Sequence, residues 1–296
     1  MKFTKIARMA FPRRAFVSHS IPDLPRVIIN SFPKSGTHLL GRLVENLGFI
    51  DLPIMLVEDF CVDFNKRGDW HTWKPIVDSG ITEFSNPSRK PESTEISLRR
   101  IRNGQFCTSH LKYSKFSSLS LKYLKIKHLF IIRDIRDCII SQERWRRDLK
   151  AHDFLPKWFF YLNALKSDEE RLLTVIEGKD RFLEPYSYHL DYGWGWLDDS
   201  NVLIVRYENL IGPKGGGTVN KQKEEIKMVA NYLGCKRSDK DIEQMANNLW
   251  GSKTRTMKYG KSKYWKDKFT PEVNESFHKH YDHYMKKLGY TQELSR

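Results

Sequence analysis

The stretch from Val27 to Gly48 constrains this chain more than any other. Val27 to Phe32 is a short apolar run with β-branched residues and reads as a buried strand. Pro33-Lys34-Ser35-Gly36 is a tight polar turn, after which Leu39, Leu40, Leu43, Val44 and Leu47 recur at helical spacing until Gly48 closes the helix. Strand, turn and helix in that order open a βαβ unit. Further strands are expected at Gln105 to Ser109, at His128 to Ile132 and at Val202 to Val205, with a helix through Asp137 to Leu149 after the third strand. Two later helices carry Ile226, Val229, Ala230 and Leu233, and Val273, Phe277, Tyr281, Tyr284 and Leu288, on single stripes. Strands interleaved with helices predict an α/β fold with a central, mostly parallel sheet flanked by helices. A chain of 296 residues, 40% of them hydrophobic, can bury the core of a single domain. We expect a basic tail over residues 1–25 and one domain over 26–290. Residues 51–95 yield no clear element, and Gly215-Gly216-Gly217 is expected to be mobile.

Ligands of an open parallel sheet sit beyond the carboxyl ends of its strands, where each of these strands delivers polar residues. At the first end, Gly36 and the small Ser35 let successive N–H groups converge at the start of a helix, an arrangement that favours an anion. Lys34 adds charge, and Ser35 and Thr37 add hydroxyls. A Walker loop places its lysine after the second glycine, whereas Lys34 precedes Ser35-Gly36-Thr37, which counts against ATP chemistry. Taken alone, the loop reads equally as an ordinary strand-to-helix turn with a solvated lysine.

The surroundings extend the pattern. Pro33 to Thr37 match, without a gap, the 5′-phosphosulfate loop Pro-Lys-Ser-Gly-Thr of sulfotransferases that use 3′-phosphoadenosine 5′-phosphosulfate (PAPS). The chain therefore resembles that family, in its cytosolic form. His38 stands in place of a second threonine, and Leu39 in place of a tryptophan that stacks on adenine. Arg133, at a strand end, and Ser141 eight residues on resemble the pair that holds the donor's 3′-phosphate. Guanidinium offers a fork to phosphate oxygens, although Arg133 and Arg136 also have Asp134 and Asp137 for local ion pairs. Thr108-Ser109-His110-Leu111 is similar to the family's Lys-Thr-His-Leu, which implies that His110 is the general base; Thr108 replaces the lysine. Tyr207, in Arg206-Tyr207-Glu208-Asn209-Leu210, matches a nucleotide-site tyrosine or serves as core packing. Lys258-Tyr259-Gly260, ahead of Trp265-Lys266, resembles the basic segment that closes over the 3′-phosphate or is a plain surface loop.

The resemblance runs from Ser31 to Pro271 in family order and implies the P-loop-like sulfotransferase fold. It also implies in-line transfer of a sulfuryl group from PAPS to a hydroxyl or amine, leaving 3′-phosphoadenosine 5′-phosphate (PAP), with Lys34 stabilising the leaving group and no metal. Two alternatives stand beside it: a P-loop-like nucleotide kinase, opposed by the lysine order and by Arg133 with Ser141, and a non-catalytic protein that binds PAP or nucleic acid. The net charge of +15 suits nucleic acid, phosphate-rich ligands or an anionic membrane surface. No nucleic-acid motif appears, so no specific nucleic-acid partner is expected, and the basic patches leave membrane-surface contact open. Trp70, His71, Trp73, Tyr113 and the region of Trp145 are either acceptor-pocket walls or core; the acceptor is expected to be a small molecule, a lipid or a sugar. Cys61, Cys107, Cys138 and Cys235 lie far apart and read as reduced thiols. With no apolar run long enough for a signal peptide or a membrane span, a cytoplasmic location is expected.

Overall fold

A computed structural model describes residues 20–57, 60–63, 98–148, 157–180, 182–250 and 260–290. Six strands form one sheet: β1 (Arg26–Ser31), β2 (Ile50–Val57), β3 (Phe60–Asp63), β4 (Gln105–His110), β5 (Ile126–Ile132) and β6 (Val202–Arg206), in the order β3-β2-β4-β1-β5-β6. Every neighbouring pair is parallel except β2 and β3, which are antiparallel, so five parallel strands carry one short antiparallel edge. The predicted α/β architecture and its four strands are present.

The helices follow the sequence signals. Helix α1 (Thr37–Asn46) leaves β1 through Gly36, and α2 (Lys115–Tyr123) is capped by Ser114, whose hydroxyl accepts from the Ser117 N–H. Helix α3 (Ile135–Arg147) leaves β5 with Asp134 as its cap. Then come α4 (Lys157–Ala164), α5 (Asp168–Glu177), α6 (Tyr186–Gly193), α7 (Val219–Tyr232), α8 (Asp239–Leu249) and α9 (Pro271–Leu288). Helices α1, α7 and α8 bury their apolar faces with Val27 and Ile29 on one side of the sheet. Helices α3, α4, α5, α6 and α9 pack with Ile28 and Phe130 on the other. Both faces are covered, and this is why β1 and β5 carry the consecutive apolar stretches Val27–Ile29 and Leu129–Ile132 rather than an alternation.

Two features depart from expectation. Strands β2 and β3 lie in the stretch that gave no clear element. The register of β2 against β4 slips between Asp51 and Met55, so four residues of β2 span what two of β4 cover. Pro53, which has no N–H for the ladder, falls in that slip. The glycine run is built into a hydrogen-bonded turn: Gly212–Gly215 forms one helical turn, the Gly217 N–H donates to Gly212 O at 2.8 Å, and the Ser262 N–H donates to Gly215 O at 2.9 Å. Cys107, Cys138 and Cys235 are buried thiols.

Candidate active site

The connections leaving β1 and β5 run to opposite faces, α1 to one and α3 to the other, and this divergence opens a crevice at the carboxyl ends of the two strands. The loop Phe32–Gly36 lines it. Lys34 (φ 68°) and Gly36 (φ 108°) both adopt the left-handed region. Glycine is required twice at position 36, because a Cβ there would lie 2.4 Å from the Tyr207 ring as well as demand that backbone conformation. The loop is pinned from behind: the buried Tyr186 hydroxyl donates to Pro33 O at 2.7 Å, and the buried Ser35 Oγ lies 3.6 Å from Cys138 Sγ. Gly36 O accepts from the Leu39 and Leu40 N–H groups. The N–H groups of Thr37 and His38, in the first turn of α1, have no acceptor within the helix and make its start electropositive.

Lys34 Nζ lies 5.4 Å from the centre of the Trp145 ring. His38 faces outward on the first turn; the protein crowded against it, and then the Lys34 charge, lower its pKa. Leu39, in the first turn of α1, is buried in the core.

His110, the last residue of β4, reaches the end of β1. Its Nδ1 lies 2.9 Å from Ser31 O and 3.3 Å from Ser31 Oγ, and Ser31 Oγ is in turn 2.6 Å from Thr37 Oγ1. A carbonyl oxygen only accepts, so Nδ1 carries the proton and Nε2 keeps its lone pair. Burial pushes the His110 pKa down to about 4; the bond to Ser31 opposes this, while Lys34 and His38 add to it. The imidazole is therefore neutral at pH 7. Among the predicted residues, Lys34, Thr37 and His110 come together here, and Ser31 is a link that sequence reading passed over.

Arg133 closes the other side of the crevice. Its guanidinium lies 4.3 Å from the centre of the Tyr207 ring and donates to Lys34 O at 3.4 Å and to Lys261 O at 3.2 Å. Its buried Nε has no hydrogen-bond partner. Arg136 is occupied elsewhere, in a paired contact with Asp134 and against the Trp265 ring at 3.8 Å. The local ion pair weighed for either arginine thus forms fully at Arg136, whereas Arg133 stands 3.7 Å from Asp137. Tyr207 is buried, as core packing would have it, yet its hydroxyl donates to Gly260 O at 2.7 Å, joining the glycine of the loop, Arg133 and the closing segment.

Asp137 is the residue that holds that segment. Its two carboxylate oxygens accept from the Lys263 N–H at 2.9 Å and the Trp265 N–H at 3.0 Å. Burial raises its pKa to about 6 against the opposing charge of Arg133. Arg133 precedes the cap of α3, while Asp137 and Ser141 stand one turn apart on the helix itself; Ser141 is half-buried there. Gly260 lies in the described segment, whereas Lys258 and Tyr259 lie outside the described residues. So do Trp70, His71 and Trp73. Tyr113 packs edge-on against Trp196 at 5.0 Å and belongs to the core rim. Among the described residues there is no group of three or more side chains that could hold a metal ion, and no helix is long and apolar enough to cross a membrane.

The geometry offers a lysine, the start of a helix and an arginine around one crevice, with a neutral histidine alongside. A ligand carrying more than one anionic group suits that set of charges.

The model of the sulfotransferase domain matches residues 24–289. Sulfotransferase 1A1 of Mus musculus is 21% identical over 286 residues, covering 90% of this chain and 86% of that protein. Among solved structures, mouse sulfotransferase SULT7A1 complexed with PAP superposes with a TM-score of 0.54 at 18% identity, covering 92% of this chain and 88% of that one. Retinol dehydratase in complex with androsterone and inactive cofactor PAP gives a TM-score of 0.53 at 17% identity, covering 88% of this chain and 80% of that one.

Proposed function

Because the chain belongs to the sulfotransferase domain family, we propose that it moves a sulfuryl group from PAPS to a hydroxyl or amine of a small acceptor, by in-line displacement within the domain spanning 26–290. PAPS supplies an activated sulfuryl group whose bond to the bridging oxygen of the 5′-phosphate is the one that breaks. The observation that carries the mechanism is the contact of His110 Nδ1 with Ser31 O, which leaves Nε2 as the base. Nε2 takes the acceptor's proton as the acceptor oxygen or nitrogen bonds to sulfur, a role worth about 10²–10⁴-fold in rate. Lys34 faces the bridging oxygen as it receives the electron pair of the broken bond, and a fixed ammonium stabilises that growing charge.

Pro33 to Thr37, with His38, would hold the 5′ group, and Arg133 and Ser141 the 3′-phosphate, with Lys258, Tyr259 and Gly260 closing over it and Tyr207 completing the wall. Leu39 is committed to the core, so adenine must be held by other surfaces. Androsterone and retinol, bound by the retinol dehydratase neighbours, support an apolar alcohol as the acceptor class.

The test is ligand-dependent melting. PAP is expected to raise the melting temperature clearly more than ATP or AMP, because a ligand of the native state stabilises by mass action. With labelled PAPS and a panel of hydroxyl acceptors, His110→Ala is expected to keep the PAP shift and lose at least 10²-fold in turnover. Equal shifts with all three nucleotides would refute the donor assignment, and unchanged turnover in the variant would remove His110 from the chemistry.

A further inference from the structure

Helix α2 carries its large apolar residues on the wrong side for a core. Leu121 and Ser117 face inward, yet Phe116, Leu119 and Tyr123 are 62%, 56% and 76% exposed. Their i, i+3, i+7 spacing lines them up as one ridge, and Lys115 and Lys122, both exposed, flank the same side of it. A monomeric surface tolerates scattered apolar side chains, but a ridge of two aromatics and a leucine along one helix needs a partner.

The surrounding charge identifies the partner's sign. Between Glu95 and Asp134 the chain has no acidic residue, while Arg99, Arg100, Arg102, Lys112, Lys115, Lys122, Lys125 and Lys127 are all basic. Lys112, Lys125 and Lys127 are exposed at the two ends of α2. Asp199, the acidic group packed on this helix, is occupied: it accepts from Ser118 Oγ and from Asn201. Asp198, next to it in the chain, is paired with Lys287, and elsewhere on the surface charges of both signs interleave, as in Lys227 with Asp239. Exposed aromatic and leucine side chains beside exposed lysines form the amphipathic surface that lies at the headgroup boundary of an anionic bilayer.

We infer that α2 is a peripheral docking surface for an anionic membrane, with Phe116, Leu119 and Tyr123 entering the headgroup boundary and the lysines around them contacting acidic lipid. The helix begins five residues after His110, so docking holds the β4 edge of the site at the lipid surface, where an acceptor dissolved in the membrane is most concentrated.

Sedimentation with vesicles tests this. The full chain is expected to co-sediment with phosphatidylcholine vesicles containing phosphatidylserine, at least tenfold more strongly than with phosphatidylcholine alone, and to be released by salt. Phe116→Ser with Leu119→Ser and Tyr123→Ser is expected to reduce binding at least tenfold, and Lys115→Glu with Lys122→Glu to do the same. All five positions are exposed, and an unchanged melting temperature would show each variant folded. Binding that ignores phosphatidylserine, or survives both sets of substitutions, would overturn the inference. So would a concentration-dependent dimer lost on the triple substitution, which would assign the ridge to a second copy of the chain.

Discussion

At the scale of single residues, the protonation of His110 is the most consequential detail. The Ser31 carbonyl fixes the proton on Nδ1, and burial with the nearby Lys34 charge depresses the pKa to about 4. The proposed anionic donor, bound against Lys34, would offset that lysine's charge and raise the His110 pKa again. The pH profiles should separate accordingly. For kcat/KM, which reports the uncomplexed enzyme, the acid limb should fall well below the ordinary histidine range, whereas the limb for kcat should lie at higher pH. Coincident limbs, or the reverse order, would contradict this account. Lys34 and Arg133 could be singled out in the sequence because each follows an apolar run that announces a strand, and His110 because Thr108-Ser109-His110-Leu111 is similar to a family motif. Ser31 and Asp137 could not. Their roles depend on contacts with Thr37, His110, Lys263 and Trp265, none of which local spacing reveals.

At the scale of elements, Asp137 ties the start of α3 to the segment after Gly260. Hydrogen bonds to a charged acceptor contribute about 1.5–3 kcal/mol each. Asp137→Ala removes two at once and leaves the Lys263 and Trp265 N–H groups without their acceptor. The expected result is faster proteolysis within residues 260–267 and at least tenfold weaker PAP binding, with Asp137→Asn intermediate because one carbonyl oxygen remains. Equal cleavage rates in all three proteins would show that other contacts hold the segment. The strands themselves divided cleanly into legible and hidden. Strands β1, β5 and β6 carry short apolar runs and β4 the Phe106-Cys107 pair, while Pro53 breaks the pattern of β2 at the very place where its register slips.

At the scale of the whole molecule, three of the described histidines are held in neutral form by burial. Burial lowers His110 to about 4 and His128 and His189 to about 3. Neither ring nitrogen of His128 has a hydrogen-bond partner, and its ring packs edge-on to Trp196 at 4.5 Å. Between the ordinary histidine pKa and these depressed values, the unfolded chain binds protons that the folded chain refuses. Stability therefore falls as pH falls through that window, by about 1.4 kcal/mol per pH unit for each such group. His128→Phe keeps an aromatic ring against Trp196 and removes one titrating site. Denaturant titrations between pH 6 and 4.5 should show its pH slope reduced by about that amount, and an unaltered slope would mean that His128 does not titrate on unfolding.

The strand order has a final consequence, for the making of the protein. Strand β1 is the first to be synthesised and sits inside the sheet, with Val27 beside Phe106 on one flank and Lys127 on the other. It leads into the Phe32–Gly36 loop, but both its partners come much later in the chain, and parallel pairing of distant segments is slow to form. On the ribosome the loop must wait, apolar strand exposed, until β4 and β5 have emerged, and Asp137 cannot fasten Trp265 until nearly all of the domain has been synthesised. The crevice is thus among the last parts of the molecule to be completed, and a chain interrupted before Trp265 would present the sheet without the segment that closes it.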